Sequence, residues 1–349
     1  MRKRVTLKDI AKRLDISHAT VSRALNGKPD PMISEATRRR VVQAAKEIGY
    51  RPNSAARSLA TGRTGLISLW LWSEGAQDSY QAAVSQRFHK EAISRSYQLL
   101  VDHVGWYLLQ DPRQGHFDAW NVDGIIAHES GPAITSQFSL NSRPPVPIVS
   151  TGAYHMLDSV DQVFVDLRDG AEAAVKHLIA TGRRRIAYMT DKLGDRGQDA
   201  RTGAYRRLLE EAGIPHEFIE TGSSRAETRA RIREYVKELG CPDAIMCHHD
   251  DFAIATYRGL CDLGVRVPDD TALVGCNGIE DCEYLEVPIS TIAQPFDELC
   301  SYATRFLEDR IEDPSRPLQT VVLKAEFIAR ESSGSLRKPK LPPFGEVPH

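Results

Sequence analysis

The stretch VTLKDIAKRLDISHATVSRALNG, residues 5–27, holds two short amphipathic segments that decide the fold of the amino-terminal part of the chain. Thr6 can cap the first segment, which ends at a polar break over Asp15-Ile16. Ser17 can cap the second, HATVSRAL, which ends at Asn26-Gly27. Spacings of three and four residues between apolar side chains give each segment one inward stripe, as in a helix. The expected inward positions are Leu7, Ile10, Ala11 and Leu14, then Ala19, Val21, Ala24 and Leu25.

A third helix is predicted shortly after this stretch. Ser34 can cap EATRRRVVQAAKEIG, residues 35–49, and Gly49 can end it. Its apolar positions are Val41, Val42, Ala45 and Ile48. Three short helices with a tight turn between the first two are typical of a helix-turn-helix unit.

Charge is divided unevenly along the chain. Residues 1–65 contain 15 Lys and Arg against 5 Asp and Glu, whereas the remainder contains 30 against 42. A basic head on an acidic body indicates that the head meets a polyanion. A basic head alone could also be a solvated tail, so the pattern of its side chains has to decide.

The exposed face of the second helix supplies that pattern. Its first turn carries Ser17, His18 and Thr20, and the next turn carries Ser22 and Arg23. Small hydroxyls and a helix amino terminus favour phosphate groups, and an arginine can read guanine in the major groove. These features predict a DNA-binding face. The alternative is a set of solvated polar positions.

The body of the chain follows Gly65 and has another pattern. LISLWLW, residues 66–72, is a continuous apolar run of the kind found in strands buried on both faces. Further runs, such as YQLLV, VDGIIAH, VPIVST, RRIAYMT and TALVGC, alternate with helical stretches. This alternation predicts parallel sheets with helices on both sides. Because about 265 residues exceed one such sheet, we expect two α/β lobes with a ligand cleft at the carboxyl ends of the strands.

The head resembles the amino terminus of LacI/GalR-family transcriptional repressors. The resemblance covers residues 5–67 almost continuously, through ATVSRALNG, GYRPN and TGRTGLI. It implies that the second helix is the recognition helix, with His18 and Ala19 as the most discriminating positions and Asn26 at a phosphate. Ala19 has no donor or acceptor and can offer only apolar contact, for instance to a thymine methyl. The DNA-binding positions expected in this head are Thr6, Ser17, His18, Ala19, Thr20, Ser22, Arg23 and Asn26.

The stretch RPNSAARSLATG, residues 51–62, can form about two turns of helix, too few to be stable alone in water. We expect it to order on DNA. The resemblance makes it a hinge helix in the minor groove, with Leu59 as a wedge between central base pairs. Asn53, Ala56 and Arg57 would lie against the groove or the backbone. The alternative is a plain linker with Leu59 packed on the body.

The body resembles LacI/GalR effector domains, whose architecture is that of periplasmic sugar-binding proteins. HLIATGRRRIAYMT, PDAIMCHHDDFAIATYRGLCDLGVRVPDD and ALVGCNGIEDCEYLEVPISTIAQP carry the resemblance. It implies three crossings between lobes, near residues 163, 292 and 320. The effector-binding positions that it implies are Tyr80, Asp166, Arg201, His249, Asp250 and Asn277.

Four of these positions need comment. Arg201 lies in RTGAYRRL, where Ala204 replaces a family glycine; its fork of donors suits paired hydroxyls or a carboxylate, and a surface arginine is the alternative. His249 stands where the family usually has Asn, and Asn277 where it usually has Asp. Asn donates as well as accepts, so the ligand's hydrogen-bond pattern can differ from the family norm. Tyr80 could instead be a core or surface tyrosine.

A metal site is not expected. CHHDD, residues 247–251, has five possible ligands, but adjacent residues on a strand point to opposite faces. No second cluster occurs at zinc spacing. The six cysteines have no CxxC pair and are expected to be reduced. Neither an apolar leader nor a membrane span is visible, so a cytoplasmic protein is the expectation.

The sequence therefore predicts an all-α helix-turn-helix DNA-binding domain followed by an α/β two-lobed effector domain like periplasmic binding proteins. The predicted function is a transcriptional repressor that binds a palindromic operator as a homodimer under allosteric control by a sugar-like effector, without cofactor or catalysis. The alternatives are an α/β enzyme with an appended DNA-binding head, which lacks GxSxG, P-loop and GxGxxG motifs, and an architectural DNA-binding protein.

The predicted divisions follow from the same patterns. Residues 1–50 form the DNA-binding domain, 51–64 the hinge, 65–332 the effector and dimerisation domain, and 333–349 a flexible Pro-rich tail. The tail lacks the leucine heptads of a tetramerisation bundle, so a dimer is expected.

Overall fold

A computed structural model describes most of the chain. The described residues are 5–25, 31–50, 58, 62–72, 78–105, 122–131, 146–153, 159–191 and 199–334. The chain divides into two compact units, Met1–Thr64 and Gly65–His349. Within the described ranges, no helix has both the length and the apolar character to cross a membrane.

The first unit contains the three predicted helices, α1 (Leu7–Leu14), α2 (His18–Leu25) and α3 (Glu35–Glu47). Ser34 caps α3 by accepting from the Thr37 N–H at 3.2 Å. The helices enclose one small apolar core, as their spacing predicts. Its buried members are Ile10, Ala11, Val21, Ala24, Val41, Ala44 and Ala45.

Two apolar positions of the head differ from the prediction. Ala19 is exposed, so its placement among the inward residues of α2 was wrong. Val42 of α3 is exposed as well. In both helices the adjacent apolar residues already fill the face that packs on the other helices, and α2 turns Ala19 outward beside His18. Outward placement is what contact with a base requires.

The second unit contains two six-stranded sheets. The first sheet has the order β11-β5-β4-β3-β1-β2 and is parallel throughout. The second has the order β12-β10-β9-β8-β6-β7, with β12 as its antiparallel edge. The strands are β1 (Leu66–Trp72), β2 (Gln98–Val104), β3 (Gly124–His128), β4 (Ile148–Gly152), β5 (Asp161–Asp166), β6 (Ile186–Thr190), β7 (Glu217–Glu220), β8 (Ala244–Cys247), β9 (Ala272–Asn277), β10 (Ser290–Ala293), β11 (Thr320–Lys324) and β12 (Glu326–Ile328).

Each sheet and the helices packed on it form one lobe, which confirms the predicted two-lobed α/β class. The helices of the first lobe are α4 (Asp78–Ser94) and α9 (Phe296–Glu312), and those of the second are α5 (Arg168–Ala180), α6 (Ala200–Glu211), α7 (Arg225–Leu239) and α8 (Asp250–Asp262). A buried apolar core extends through both sheets. It forms because nearly all residues of the central strands are buried.

The chain passes between the two sheets three times. It leaves the first sheet after Asp166, returns to it after Ala293, and crosses again between Lys324 and Glu326. The last crossing is a single residue, Ala325, which is buried and whose N–H donates to the Asp166 carbonyl at 3.0 Å. A Cβ at Gly170 would lie 2.9 Å from the Ala325 carbonyl oxygen, so only glycine allows α5 to approach this closely.

Candidate functional site

The outward face of α2 presents most of the predicted DNA contacts of the head. Ser17, His18, Ala19 and Arg23 are exposed, whereas Thr20 and Ser22 are half-buried. Thr6 is exposed at the start of α1. Donors, hydroxyls and one methyl group thus share a surface at a helix amino terminus, which is the arrangement that phosphates and base edges accept.

Two of these side chains also have a structural task. Ser17 Oγ accepts a hydrogen bond from the Thr20 N–H at 3.0 Å and lies 2.9 Å from Thr20 Oγ1, so Ser17 caps α2 as predicted. Thr6 donates to Asp9 Oδ2 from both its N–H and its hydroxyl at 2.8 Å. Ser17 therefore holds the amino terminus of α2 and Thr6 that of α1, at positions that a phosphate would approach.

The remaining predicted DNA contacts lie outside the described residues. These are Asn26, Asn53, Ala56, Arg57 and Leu59.

A buried ion pair lies at the start of α6 in the second lobe. Asp199 caps this helix and holds the Arg201 guanidinium, with Nε–Oδ1 and Nη2–Oδ2 distances of 3.0 and 2.7 Å. Only 1% of Arg201 is exposed. Burial opposes the ionisation of Asp199, but the charge of Arg201 and the hydrogen bonds outweigh it and hold the pKa of Asp199 well below its usual range.

His248, which directly follows β8, completes this arrangement. Arg201 Nη1 donates to the His248 carbonyl oxygen at 2.6 Å, and Nη2 lies 2.8 Å from His248 Nε2. Since a guanidinium only donates, Nε2 must accept and the imidazole proton sits on Nδ1, 3.0 Å from Tyr188 Oη. Burial, with the charge of Arg201, lowers the pKa of His248 to about 3, so the ring is neutral.

In the first lobe, a hydrogen-bonded network joins the ends of β3 and β4. His128 Nε2 lies 2.8 Å from Tyr80 Oη, and His128 Nδ1 lies 2.8 Å from Thr151 Oγ1. Burial lowers the pKa of His128 to about 3. The Tyr80 ring also packs on Phe296, with the two centroids 5.6 Å apart. Tyr80 is thus buried, with its hydroxyl at the carboxyl ends of the strands.

Glu129, the residue after β3, bears the carboxyl group of this lobe. Its Oε1 accepts from the Ala153 N–H at 2.9 Å and lies 3.5 Å from the Tyr80 hydroxyl. Its φ of 53° lies in the left-handed region, which is unusual for a residue other than glycine. Burial raises the pKa of Glu129 to about 7, against the lowering effect of the Ala153 hydrogen bond and of Arg201. The charge of Asp199 acts on this pKa in the opposite direction to that of Arg201. The two lobes meet where Arg225 Nη2 donates to Ser79 Oγ at 2.7 Å.

Three further predicted effector residues lie at strand ends of the second lobe. His249 caps α8, and its Nδ1 accepts from the Phe252 N–H at 3.3 Å. Asp250 accepts from the N–H groups of Gly278 and Ile279 at 2.7 and 2.9 Å and from the Thr291 hydroxyl at 2.8 Å. Burial raises the pKa of Asp250 to about 6. Protein donors thus occupy its carboxylate, which ties the start of α8 to the loop after β9.

Asn277 ends β9 with a φ of 123°, again in the region that favours glycine. Its Oδ1 accepts from Gln294 Nε2 at 2.9 Å, which joins the ends of β9 and β10. Both side chains are buried. This amide pair lies on the same sheet edge as His248 and His249, because β8 and β9 are parallel neighbours.

Asp166 stands apart from this group. It ends β5, where it accepts from Arg168 Nε and Nη2 and from the Arg168 N–H. The Arg168 hydrogen bond lowers the pKa of Asp166. The structure therefore brings Tyr80 to the strand ends of the first lobe, and Arg201, His249 and Asn277 to those of the second. Asp166 has a local partner at the carboxyl end of β5, an inner strand of the first sheet.

Several residues of the site were not predicted from the sequence. They are His128, Glu129, Thr151, Asp199, His248 and Gln294. All of them except Asp199 lie at or directly after the carboxyl end of a strand, which is the signal that could have identified them. Asp199 instead precedes α6 at a capping position.

The cysteines and possible metal ligands add no centre of their own. All six cysteines are free. No group of three or more His, Cys, Asp or Glu within the described part of the chain could hold a metal ion.

Known families match both units. The model of bacterial regulatory proteins of the lacI family matches residues 6–53, and that of periplasmic binding protein-like domains matches residues 175–333. The chain is 29% identical to the probable HTH-type transcriptional repressor ExuR of Bacillus subtilis, over 94% of this chain and 98% of that protein. It is 28% identical to the ribose operon repressor of Haemophilus influenzae, over 95% and 99%. Both of these relatives are named as repressors.

Solved structures agree in fold. The lac repressor dimer bound to operator and the anti-inducer ONPF gives a TM-score of 0.76 at 23% identity, over 95% of this chain and 99% of that chain. The complex of the transcriptional regulator CelR with cellobiose gives 0.63 at 26% identity, over 94% and 100%. Together with the family models, they confirm the predicted helix-turn-helix head and periplasmic-binding-protein-like body.

Proposed function

Since the chain belongs to the LacI/GalR family of transcriptional regulators, we propose that it represses transcription as a homodimer on a palindromic operator, under the control of a sugar or sugar derivative. The observation that carries the proposal is the combination of an exposed, capped second helix with buried polar side chains at the strand ends of two lobes. The names of the relatives support it, since one is a ribose operon repressor and another structure holds cellobiose.

We propose the same domain boundaries that the sequence predicts. Residues 1–50 bind DNA, 51–64 form the hinge, 65–332 bind effector and dimerise, and 333–349 are a carboxyl-terminal tail. The protein acts in the cytoplasm, because that is where a bacterial operator is found. It needs neither cofactor nor metal.

DNA recognition uses α2 in the major groove. His18 and Ala19 read bases, while Thr20, Ser22 and Arg23 contribute further contacts. The neighbouring contacts are Thr6, Ser17 and Asn26, and those of the hinge are Asn53, Ala56, Arg57 and Leu59. Leu59 inserts between central base pairs and bends the duplex.

The effector binds between the lobes, where Tyr80, Asp166, Arg201, His249, Asp250 and Asn277 are the proposed contacts or their direct supports. Binding changes the angle between the lobes and with it the ability of two heads to dock on two half-sites. By linkage, effector and operator then alter each other's affinity by the same factor.

Operator binding tests the DNA part of the proposal. An operator is first selected from random duplex DNA with the full-length protein, and binding of the Leu59→Ala variant is then compared on that operator and on unrelated DNA. Loss of a wedge weakens operator binding by about 1–3 kcal/mol and leaves non-specific binding nearly unchanged. Equal losses on both DNAs would reject the wedge. Failure to select any operator would reject the repressor.

A further inference from the structure

We propose that Arg225 is a positioning residue that holds the two lobes at a fixed angle through one hydrogen bond, from its guanidinium in the second lobe to the hydroxyl of Ser79 in the first. The hydrogen bond itself is independent of ligand and DNA. Only its effect on operator binding rests on the function proposed above.

The second lobe fixes the position of the Arg225 guanidinium. Arg225 is the first residue of α7, whose start is held by a capping box between Ser224 and Glu227. Its Nε donates to Asp251 Oδ1 at 2.7 Å, and the side chain of Asp251 is only 4% exposed. A hydrogen bond between two charged groups is stronger than one between neutral groups. The guanidinium is therefore directed by α7 and α8 together.

The first lobe supplies the acceptor of the hydrogen bond. Ser79 is the second residue of α4, and its Oγ accepts from Arg225 Nη2 at 2.7 Å. The chain crosses between the sheets at β5, β10, β11 and β12, which lie towards one edge of each sheet, whereas α4 joins β1 to β2 and α7 follows β7 at the other edge. The contact therefore lies opposite the crossings, where a small change in the angle between the lobes produces the largest separation.

This contact adjoins the candidate effector site in both lobes. Ser79 directly precedes Tyr80, whose hydroxyl lies 2.8 Å from His128 Nε2. Asp251 directly follows Asp250, whose carboxylate holds the loop after β9. When the contact breaks, the polar side chains at the strand ends of the two lobes can move apart.

The charge of Arg225 stays paired when the lobes separate. Asp251 keeps its hydrogen bond to Arg225, and Asp281 Oδ2 of the same lobe lies 3.5 Å from Nη2. Opening therefore breaks one hydrogen bond without leaving a charge unpaired, which would be far more costly. Since one partly exposed hydrogen bond contributes little net stability, it changes the ratio of closed to open forms by about fivefold. A ligand that binds one form more tightly can overcome a bias of this size.

Hydrogen–deuterium exchange of the full-length protein, without ligand or DNA, tests the contact. Ser79→Ala removes the acceptor and leaves the ion pair of Arg225 with Asp251 intact. We expect the backbone amides of the strand ends, at residues 127–131 and 276–279, to exchange about fivefold faster in this variant. The reason is that exchange of these amides follows the population of the open form.

The matched control is Ser94→Ala in the same helix. Ser94 is the last residue of α4, and its hydroxyl donates to the Glu91 carbonyl within that helix at 2.8 Å. This variant should exchange like the wild type at the strand ends. Equal exchange in wild type and Ser79→Ala, or an equal rise in Ser94→Ala, would overturn the inference.

A double-mutant cycle shows whether Arg225 and Ser79 act through each other. Arg225→Ala should raise exchange at the strand ends as Ser79→Ala does, and the double variant should add nothing further. Arg225→Lys should restore part of the protection, because an ammonium group can still donate to Ser79 Oγ. Additive effects of the two single substitutions would contradict a shared contact. Thermal melts verify that each variant is folded.

Operator binding separates this inference from the proposed function. The affinity of the same variants for the selected operator is measured without ligand. Faster exchange together with a changed operator affinity supports both proposals. Faster exchange with an unchanged operator affinity retains the role of Arg225 and rejects the proposed link between the lobe angle and DNA binding. Unchanged exchange rejects the role of Arg225, whatever the operator affinity.

Discussion

The two lobes have corresponding strand orders but treat charge at their facing edges differently. At the second lobe, Asp199 and Arg201 neutralise each other and are buried with His248 against them. At the first lobe, Tyr80 and His128 form a hydrogen-bonded network beside Glu129, which makes no ion pair among the described residues. The same architecture can therefore have one edge at which the buried charges neutralise each other and one edge at which a carboxyl group can still accept hydrogen bonds from a ligand.

This difference separates structural from ligand-binding roles. A buried ion pair with every donor used is strongly sensitive to the loss of one partner, but has little left to give a ligand. A carboxyl group held by two hydrogen bonds is less important for folding and can still accept. Four substitutions test the comparison.

Asp199→Asn should have the largest effect. It leaves the Arg201 charge buried without its counterion, and we expect a loss of about 3–5 kcal/mol in the free energy of unfolding. Denaturant unfolding measures it. The control is Asp169→Asn, which removes an ion pair to Lys324 whose two side chains are mostly exposed, and should cost less than about 1 kcal/mol. Similar losses in the two variants would refute the contrast.

Tyr80→Phe should cost about 1–2 kcal/mol, because His128 Nε2 loses its buried partner. Equilibrium denaturation of the two proteins measures the difference. Tyr284→Phe is the matched control, as Tyr284 is largely exposed and should tolerate the change. A neutral Tyr80→Phe substitution would mean that the network of the first lobe contributes nothing to stability.

Glu129→Gln should change the pH dependence of stability. The pKa of Glu129 is about 7 in the folded protein, above its ordinary value of 4.5, so the folded state binds the proton more tightly. Stability of the wild type is then lost as the pH rises between these values. The free energy of unfolding of the variant should therefore rise relative to that of the wild type between pH 5 and pH 8. The gain is limited to about 1 kcal/mol, because the Glu129 carboxyl group is partly exposed to solvent. Thermal melts of wild type and variant at pH 5 and pH 8 measure this gain. A stability difference that is the same at both pH values would contradict the raised pKa of Glu129.

Arg225→Ala should have the smallest effect on stability, below about 1 kcal/mol, since 43% of its side chain is exposed. However, Arg225 Nη2 also donates to Ser79 Oγ of the first lobe at 2.7 Å. We therefore expect a changed effector affinity. Arg229→Ala is the control, because Arg229 pairs with Asp262 inside the second lobe. Calorimetric titration with the effector compares the variants, and identical affinities would show that the contact between lobes is unimportant.

Sequence patterns were sufficient where a segment carries its own signal. The continuous apolar run LISLWLW matches β1 to the residue, and the caps at Ser17 and Ser34 begin α2 and α3. The strand Thr320–Lys324 has no such signal, because it lies at a sheet edge with several side chains exposed and its partner β5 lies far earlier in the chain. The periodicity of a sequence carries no information about which distant segments pair in a sheet.

The same reason explains the outcome at the site. Arg201 and Tyr80 could be nominated by resemblance to a family, but Glu129 and Gln294 become notable only when parallel register brings strand ends together. Ala19 was assigned inward because it is apolar, although helical position and not hydropathy decides its exposure.

The crossing at Ala325 has a consequence for how the sequence can change over time. Ala325 is the single residue between the last residue of β11 and the first residue of β12. Its two neighbours, Lys324 and Glu326, are held by strand pairing in different sheets. One inserted or deleted residue would invert the faces that all side chains of one of these strands present. Length variation, common in surface connections, should therefore be excluded at this point while substitutions are tolerated around it.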